Sequence, residues 1–253
     1  MDISRLTKII KLRAKAEDRY NFRFHLRFRD RNTAAVLLAD LLGNKIAQKD
    51  RDNFMVVGIA RAGIITADIL SQKLHISNFD IAVPRKLTLP NSDEQAIGAV
   101  MEDGTSYLLK WRLEESLVSK EYLEKQKANG IEQILERSHT YGYRAKRLAD
   151  QLLDNKKSVI LVDDGASTGA TLISVVKWIK KLDSNHGIQT RRIIVAVPVV
   201  PKSTAEFLRC GHQLEVQTIT SPSKFYSVQE FYQQFREVTD DDVIRILMER
   251  HLI

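Results

Sequence analysis

Short apolar runs recur along this chain, most of them followed by a turn-forming junction and a segment of helical period. They occupy residues 54–60 (FMVVGIA), 78–83, 158–162, 192–197 and 214–218. Runs that are apolar throughout, rather than alternating, suit strands covered on both faces. Helical periods follow at 63–74, 168–182 and 202–210, and strands alternating with helices argue for a parallel sheet with right-handed crossovers. A length of 253 residues then fits one α/β domain with additions. Ahead of the first run, Phe22, Phe24, Leu26 and Phe28 alternate with polar residues and predict a half-buried strand. A helix capped by Asp30 or Asn32 is expected to run to about Gln48. Pro84-Arg85-Lys86 ends the second run, residues 87–98 read as a loop, and 99–109 leave room for one or two short strands. Residues 114–153 read as helices broken near 140–143. In such sheets ligands bind beyond the carboxyl ends of the strands, which directs attention to the junctions after Ala60, Val83 and Val162.

Composition narrows the class. One cysteine, Cys210, excludes a disulfide framework and a cysteine-rich zinc site, and the six histidines show no metal-ligand spacing. No apolar run approaches the roughly 20 residues that span a bilayer, and the first residues lack a signal-peptide pattern. The expectation is a cytoplasmic protein with no membrane partner. Residues 1–31 hold ten basic and four acidic side chains, which leaves the rest of the chain near +1 of a formal +7. Basic character is thus confined to an N-terminal arm over 1–27, rather than spread as on a nucleic-acid-binding domain. The arm could touch RNA, an acidic lipid surface or a neighbouring subunit; a solvated helix packed through Ile3, Leu6 and Ile10 is the plainer reading.

The junction after Val162 reads VDDGASTGAT over residues 162–171. Small residues opening a helix let backbone amides approach an anion, and the helix N-terminus adds positive potential. Gly165, Ala166, Ser167, Thr168, Gly169, Ala170 and Thr171 therefore look built to hold a phosphate, with hydroxyls from Ser167, Thr168 and Thr171. Walker A chemistry is disfavoured, since Gly169 is followed by Ala170 and not by Lys. Gly165-Ala166-Ser167-Thr168-Gly169 also satisfies the nucleophile elbow of a serine hydrolase, with Asp183 or Glu206 and His212 or His251 as nominal partners. Asp163 and Asp164 directly before the elbow would oppose the oxyanion of such an enzyme. An N-capped helix beside an incidental acidic pair is the plainest alternative.

Apolar residues, two acids, a short spacer and Ser/Thr-Gly-x-Ser/Thr resemble the PRPP-binding signature of the type I phosphoribosyltransferases, with every position filled. More specifically, the chain resembles a bacterial and archaeal subgroup of unassigned members. Its Phe28-Arg29-Asp30-Arg31, Ala60-Arg61-Ala62-Gly63, Val83-Pro84-Arg85-Lys86-Leu87, Ala96-Ile97-Gly98-Ala99 and Ala196-Val197-Pro198-Val199 match that subgroup's motifs. Ala60 and Ala62 depart from it, standing where Pro and Gly are usual.

The resemblance implies a Rossmann-like α/β phosphoribosyltransferase domain over 28–253, with the N-terminal extension, a helical insertion at about 110–150 and a small C-terminal hood at about 219–238. It implies transfer of the phosphoribosyl group of PRPP to a nitrogenous acceptor such as a nucleobase, with Mg2+ and release of pyrophosphate, by a homo-oligomer. Asp163 or Asp164 would stabilise the oxocarbenium-like transition state. The loop at 165–171 would take the 5′-phosphate. Arg61, Ala62 and Gly63, with Arg85 and Lys86, would hold the departing pyrophosphate. Metal ligands would come chiefly from the substrate, with Asp163 or Asp164 acting through water. Pro222-Ser223-Lys224-Phe225 looks like the base-binding stretch of the 6-oxopurine enzymes, which would put Lys224 and Phe225 on the acceptor; core or dimer packing is the alternative. A PRPP-sensing regulator on the same fold, with the arm as its effector surface, is the reading from a different class.

Overall fold

The computed structural model describes residues 27–90, 92, 95–144, 146–188 and 191–253. The helix-rich chain runs α1 (Arg31–Gly43), β1 (Phe54–Ile59), α2 (Gly63–Leu74), β2 (Phe79–Ala82), β3 (Arg85–Thr88), β4 (Ala96–Val100) and β5 (Ser106–Leu108). It continues through α3 (Lys110–Ser116), α4 (Lys120–Thr140), α5 (Arg147–Asn155), β6 (Ser158–Val162), α6 (Ala170–Asn185), β7 (Ile193–Val199), α7 (Lys202–Glu206), β8 (Glu215–Thr220) and α8 (Asp240–Glu249). Five strands form one sheet in the order β2-β1-β6-β7-β8, and every neighbouring pair is parallel. Helices flank both faces, as the uninterrupted apolar runs predict.

Strand periodicity sorts the core into two layers. Phe54 and Val56 of β1, Ile160 and Val162 of β6, and Ile194 and Ala196 of β7 face one layer, where Leu38 and Leu42 of α1, Leu70 and Leu74 of α2, and Val243 and Leu247 of α8 cover them. The odd-numbered residues Met55, Val57, Val159, Leu161, Val195 and Val197 face the other, under Leu148 and Leu152 of α5 and Leu172, Val176 and Ile179 of α6. Each such aliphatic side chain contributes roughly 1.5–3 kcal/mol through burial, so the sheet holds its loops on a rigid platform. Asp30 caps α1, accepting from the Thr33 amide at 2.7 Å. The helix ends at Gly43, short of the expected Gln48, and a 3-10 turn over Gln48–Asn53 carries the chain into β1.

One expectation is corrected. The second run ends before Pro84 as expected, with β2 stopping at Ala82, but the chain does not then pass into a loop. Arg85–Thr88 is a strand, antiparallel to β4, which pairs with β5 in a second, three-stranded sheet. Residues 87–98 are thus strand at both ends, and only 89–95 connect them. The expected strand at 22–28 lies mostly outside the described residues, and Phe28 makes a single bridge to Tyr232. The basic arm over 1–26 lies outside them too. Gly130 lets α4 sit against the small sheet, since a Cβ there would stand 2.8 Å from Val100 Cγ1. Among the described residues no helix is long and apolar enough to cross a membrane.

Candidate functional site

The carboxyl ends of β2, β1 and β6 lie side by side, and their junctions open into one cleft of about 1040 Å³. Beyond β6, the chain passes Asp163 and Asp164, turns through residues 165–169 and enters α6 at Ala170. The turn closes at Gly169, whose φ of +73° favours glycine. Ala166 donates to the Val199 carbonyl at 3.0 Å and Thr204 Oγ1 to the Ser167 carbonyl at 2.6 Å, which anchors the loop to β7 and α7. The first turn of a 16-residue helix then lines the cleft, where the helix dipole adds positive potential. Residues 165–171 all line it.

The two adjacent carboxylates have different surroundings. Asp164 is buried at 7% exposure and accepts from Arg31 Nε at 2.8 Å. Its carbonyl accepts from the Tyr232 hydroxyl at 2.6 Å, and Arg31 also donates to the Arg236 carbonyl and lies 4.0 Å from the Phe235 ring centroid. Asp164 therefore ties the loop at 165–169 to the Phe-x-Asp-Arg motif and to the hood. Asp163 accepts the Asp164 amide on Oδ1 at 2.8 Å and lines the cleft. Burial pushes its carboxyl well above the usual range, the neighbouring Asp164 charge pushes the same way, and the Lys86 ammonium partly offsets both.

The turn between β1 and α2 packs directly on this pair. A Cβ at Gly63 would stand 2.8 Å from the Asp163 Cα, the Asp163 Oδ1 and the Val162 carbonyl. Ala62 has φ −69° and ψ −32°, ordinary right-handed geometry, so the departure from glycine there costs no backbone strain. The Ala60–Arg61 peptide is cis. Arg61 pairs with Glu237 at 3.1 Å and lies 4.0 Å from Asp240. Arg61, Ala62, Arg85 and Lys86 line the cleft with Asp163 and Asp164.

Lys224 and Phe225 are not brought to it. Phe225 stacks on Phe231 with centroids 5.5 Å apart, and Tyr226, Val228 and Phe235 line the cleft from the hood instead. The hydrolase partners are also engaged elsewhere. Asp183 takes hydrogen bonds from Arg191 at 2.8–3.2 Å, and His212 packs edge-on against Phe207 and Tyr107. Neither His212 nor His251 lines the cleft.

The sequence reading gave no site role to Arg31 or to the wall that α3 and α4 supply: Arg112, Gln126, Asn129, Gln133 and Arg137. The signal was present as a helical stripe, since 126, 130, 133 and 137 are spaced i, i+4, i+7 and i+11.

This site can hold a phosphate at the helix N-terminus, a hydroxylated ring at Asp163 and further anionic oxygens at its cations. The sequence pattern of the phosphoribosyl transferase domain matches residues 29–236. The chain belongs to this family. Two Mycobacterium tuberculosis proteins, from strains CDC 1551 and H37Rv and provisionally named phosphoribosyl transferases, are each 29% identical to it over 227 residues, or 88% of this chain. The chain spans 47% of their length, about half. The crystal structure of TT1426 from Thermus thermophilus superposes with a TM-score of 0.64 at 32% identity, covering 88% of this chain and 98% of that one. The phosphoribosyl transferase domain pattern thus spans both the loop at 165–169 and the Arg31–Asp164 tie.

Proposed function

We propose that this domain binds PRPP with Mg2+ and transfers its phosphoribosyl group to a nitrogenous acceptor, releasing pyrophosphate. One observation carries the reading: a hydroxyl-rich helix N-terminus, an acidic pair and the cations Arg61, Arg85 and Lys86 line the same cleft. In the reaction the C1–O bond to pyrophosphate breaks, the C1–N bond forms, and the acceptor loses a proton. The ribosyl centre gains positive charge in the transition state, as in glycoside hydrolysis.

Residues 165–171 hold the 5′-phosphate. Asp163 accepts from the ribose hydroxyls and faces the developing cation; Asp164 positions it from behind while its own charge is satisfied by Arg31. Lys86, Arg85 and Arg61 neutralise the departing pyrophosphate. The donor set fits a magnesium ion bound mainly through substrate. Asp163 supplies one cleft carboxylate, and no cluster of three metal-ligating side chains occurs among the described residues. The ion would screen the pyrophosphate charge.

The test is pyrophosphate release from PRPP and Mg2+ across purine and pyrimidine bases and small amines, with Asp163→Asn as control. Acceptor-dependent release that falls about a hundredfold or more in the variant is expected. Release that survives Asp163→Asn, or a folded protein that does not bind PRPP, would overturn it.

A further inference from the structure

Resting on that reading, we infer that the acceptor carries an anionic group, held by Arg112 and Arg137 on the wall formed by α3 and α4. The PRPP-binding elements all come from the ends of β1, β2 and β6. The opposite wall belongs to the helical insertion, and it is polar where it meets the cleft. Gln126, Asn129, Gln133 and Arg137 lie along one face of α4, and Arg112 of α3 joins them.

The adjacent face of the same helix, through Gly130, Ile134 and Ser138, is buried. The amide stripe is therefore held against the cleft by packing behind it, and is not simply the outer face of a solvated helix. Four hydrogen-bonding side chains on three consecutive turns provide donors and acceptors for a polar ligand edge. The two arginines add positive charge to this wall. Arg31 is committed to Asp164, whereas among the described residues neither Arg112 nor Arg137 forms an ion pair with an acid.

Arg112 is held by the Trp111 ring at 4.6 Å, and its buried Nε is without a hydrogen-bond partner among the described residues. A buried guanidinium edge left unmet is costly, and a planar two-oxygen anion meets it best. Space permits a second ligand as well. A cleft of about 1040 Å³ stands at the top of the range of small-molecule sites, roughly 300–1,000 Å³, so PRPP does not fill it. Carboxylate and phosphate share the chemistry a guanidinium recognises, and the test separates them.

The probes are matched pairs: 3-aminobenzoate against 3-aminobenzamide, and 4-aminophenyl phosphate against 4-aminophenol. Each is titrated calorimetrically into the full chain with PRPP and Mg2+. At least one anion should bind ten times or more tighter than its neutral twin, and the pair that shows it names the group. Arg112→Gln/Arg137→Gln should abolish that preference while the PRPP dissociation constant stays within about threefold. The single variants Arg112→Gln and Arg137→Gln, with melting curves, guard against misfolding and should each lose part of it. Equal binding within both pairs, or no binding by any probe, overturns the inference. So does an equal loss of PRPP affinity in the double variant, which would assign the arginines to pyrophosphate. A wild-type chain that binds no PRPP overturns the transferase reading itself, a separate result.

Discussion

Arg31 and Asp164, 133 residues apart, meet through a 2.8 Å hydrogen-bonded ion pair with both side chains buried. The arginine enters α1 from the N-terminal motif and the aspartate ends the run from β6, so one contact joins the first helix to the loop at 165–169. It also distinguishes two carboxylates that are adjacent in sequence. Asp164 is consumed by structure, and Asp163 is left to face the cleft.

Removing the cation strands a buried charge, which costs about 3–5 kcal/mol, whereas replacing both partners by apolar groups is often close to neutral. Arg31→Ala should therefore lower unfolding stability by that amount in urea titrations. Arg31→Met/Asp164→Leu should recover most of it, yet still bind PRPP poorly, because the loop loses its tie to Arg236 and Phe235. A single variant as stable as wild type would show that the pair contributes nothing.

The turn at Gly63 is set by space and not by dihedral freedom. A methyl group there meets Asp163 and the Val162 carbonyl at 2.8 Å, closer than real Cβ atoms come. Overpacking of this kind costs about 1–3 kcal/mol and shifts backbone. Gly63→Ala should lower the melting temperature and weaken PRPP binding together, since the residue it displaces is Asp163. By contrast Gly142, at φ +64° with open space around it, should lose stability on substitution by Ala but keep PRPP affinity. Equal PRPP affinity in Gly63→Ala and wild type would break the link between the two loops.

How much of this was legible follows from where the signal lies. Continuous runs such as FMVVGI announce a doubly covered strand, and VDDGASTG announces its loop, because both are local. Of the small sheet, the short strands near 99–109 were legible but β3 was not, since it reads Arg-Lys-Leu-Thr, with Leu87 alone in the core, and its pairing partner lies beyond a polar connection. Helix α8 carried readable signs that went unassigned: a Thr239–Asp242 capping box followed by Val243, Ile246 and Leu247. The far wall of the cleft was legible as a helical stripe but not as part of a site. Gln126, Asn129, Gln133 and Arg137 have the pattern of any solvated helix face until the helix is placed.

Glu102 gives the stability a pH signature. It lines a cavity of about 10 Å³ with Ser138, Tyr143 and apolar side chains at the end of β4, and burial pushes its carboxyl up to about 7. The native state then binds a proton more tightly than the unfolded chain, where the ordinary value is 4.5. Between those two values the native state holds more protons, so stability falls as pH rises from about 4.5 and levels off above about 7. Glu102→Gln should remove this slope and be the more stable protein at pH 8, by an amount on the order of 3 kcal/mol. Parallel pH profiles for the two proteins in denaturant titrations would refute the assignment.

Lys86 should act on Asp163 as well as on pyrophosphate. Its ammonium is the cation that lowers an Asp163 carboxyl otherwise raised by burial and by Asp164. Lys86→Gln should therefore make two separable changes. Losing a charge-assisted hydrogen bond weakens PRPP binding about ten- to hundredfold at all pH values. Losing the field raises the Asp163 carboxyl further, so the acid limb of PRPP binding moves to higher pH, because the ribose hydroxyls need a carboxylate to accept them. Lys86→Arg keeps the charge and should keep the limb in place even if affinity drops. The deciding measurement is the PRPP dissociation constant of the three proteins from pH 5 to 9. A limb at the same pH in Lys86→Gln and wild type would separate Lys86 from Asp163 and leave it a pyrophosphate ligand alone.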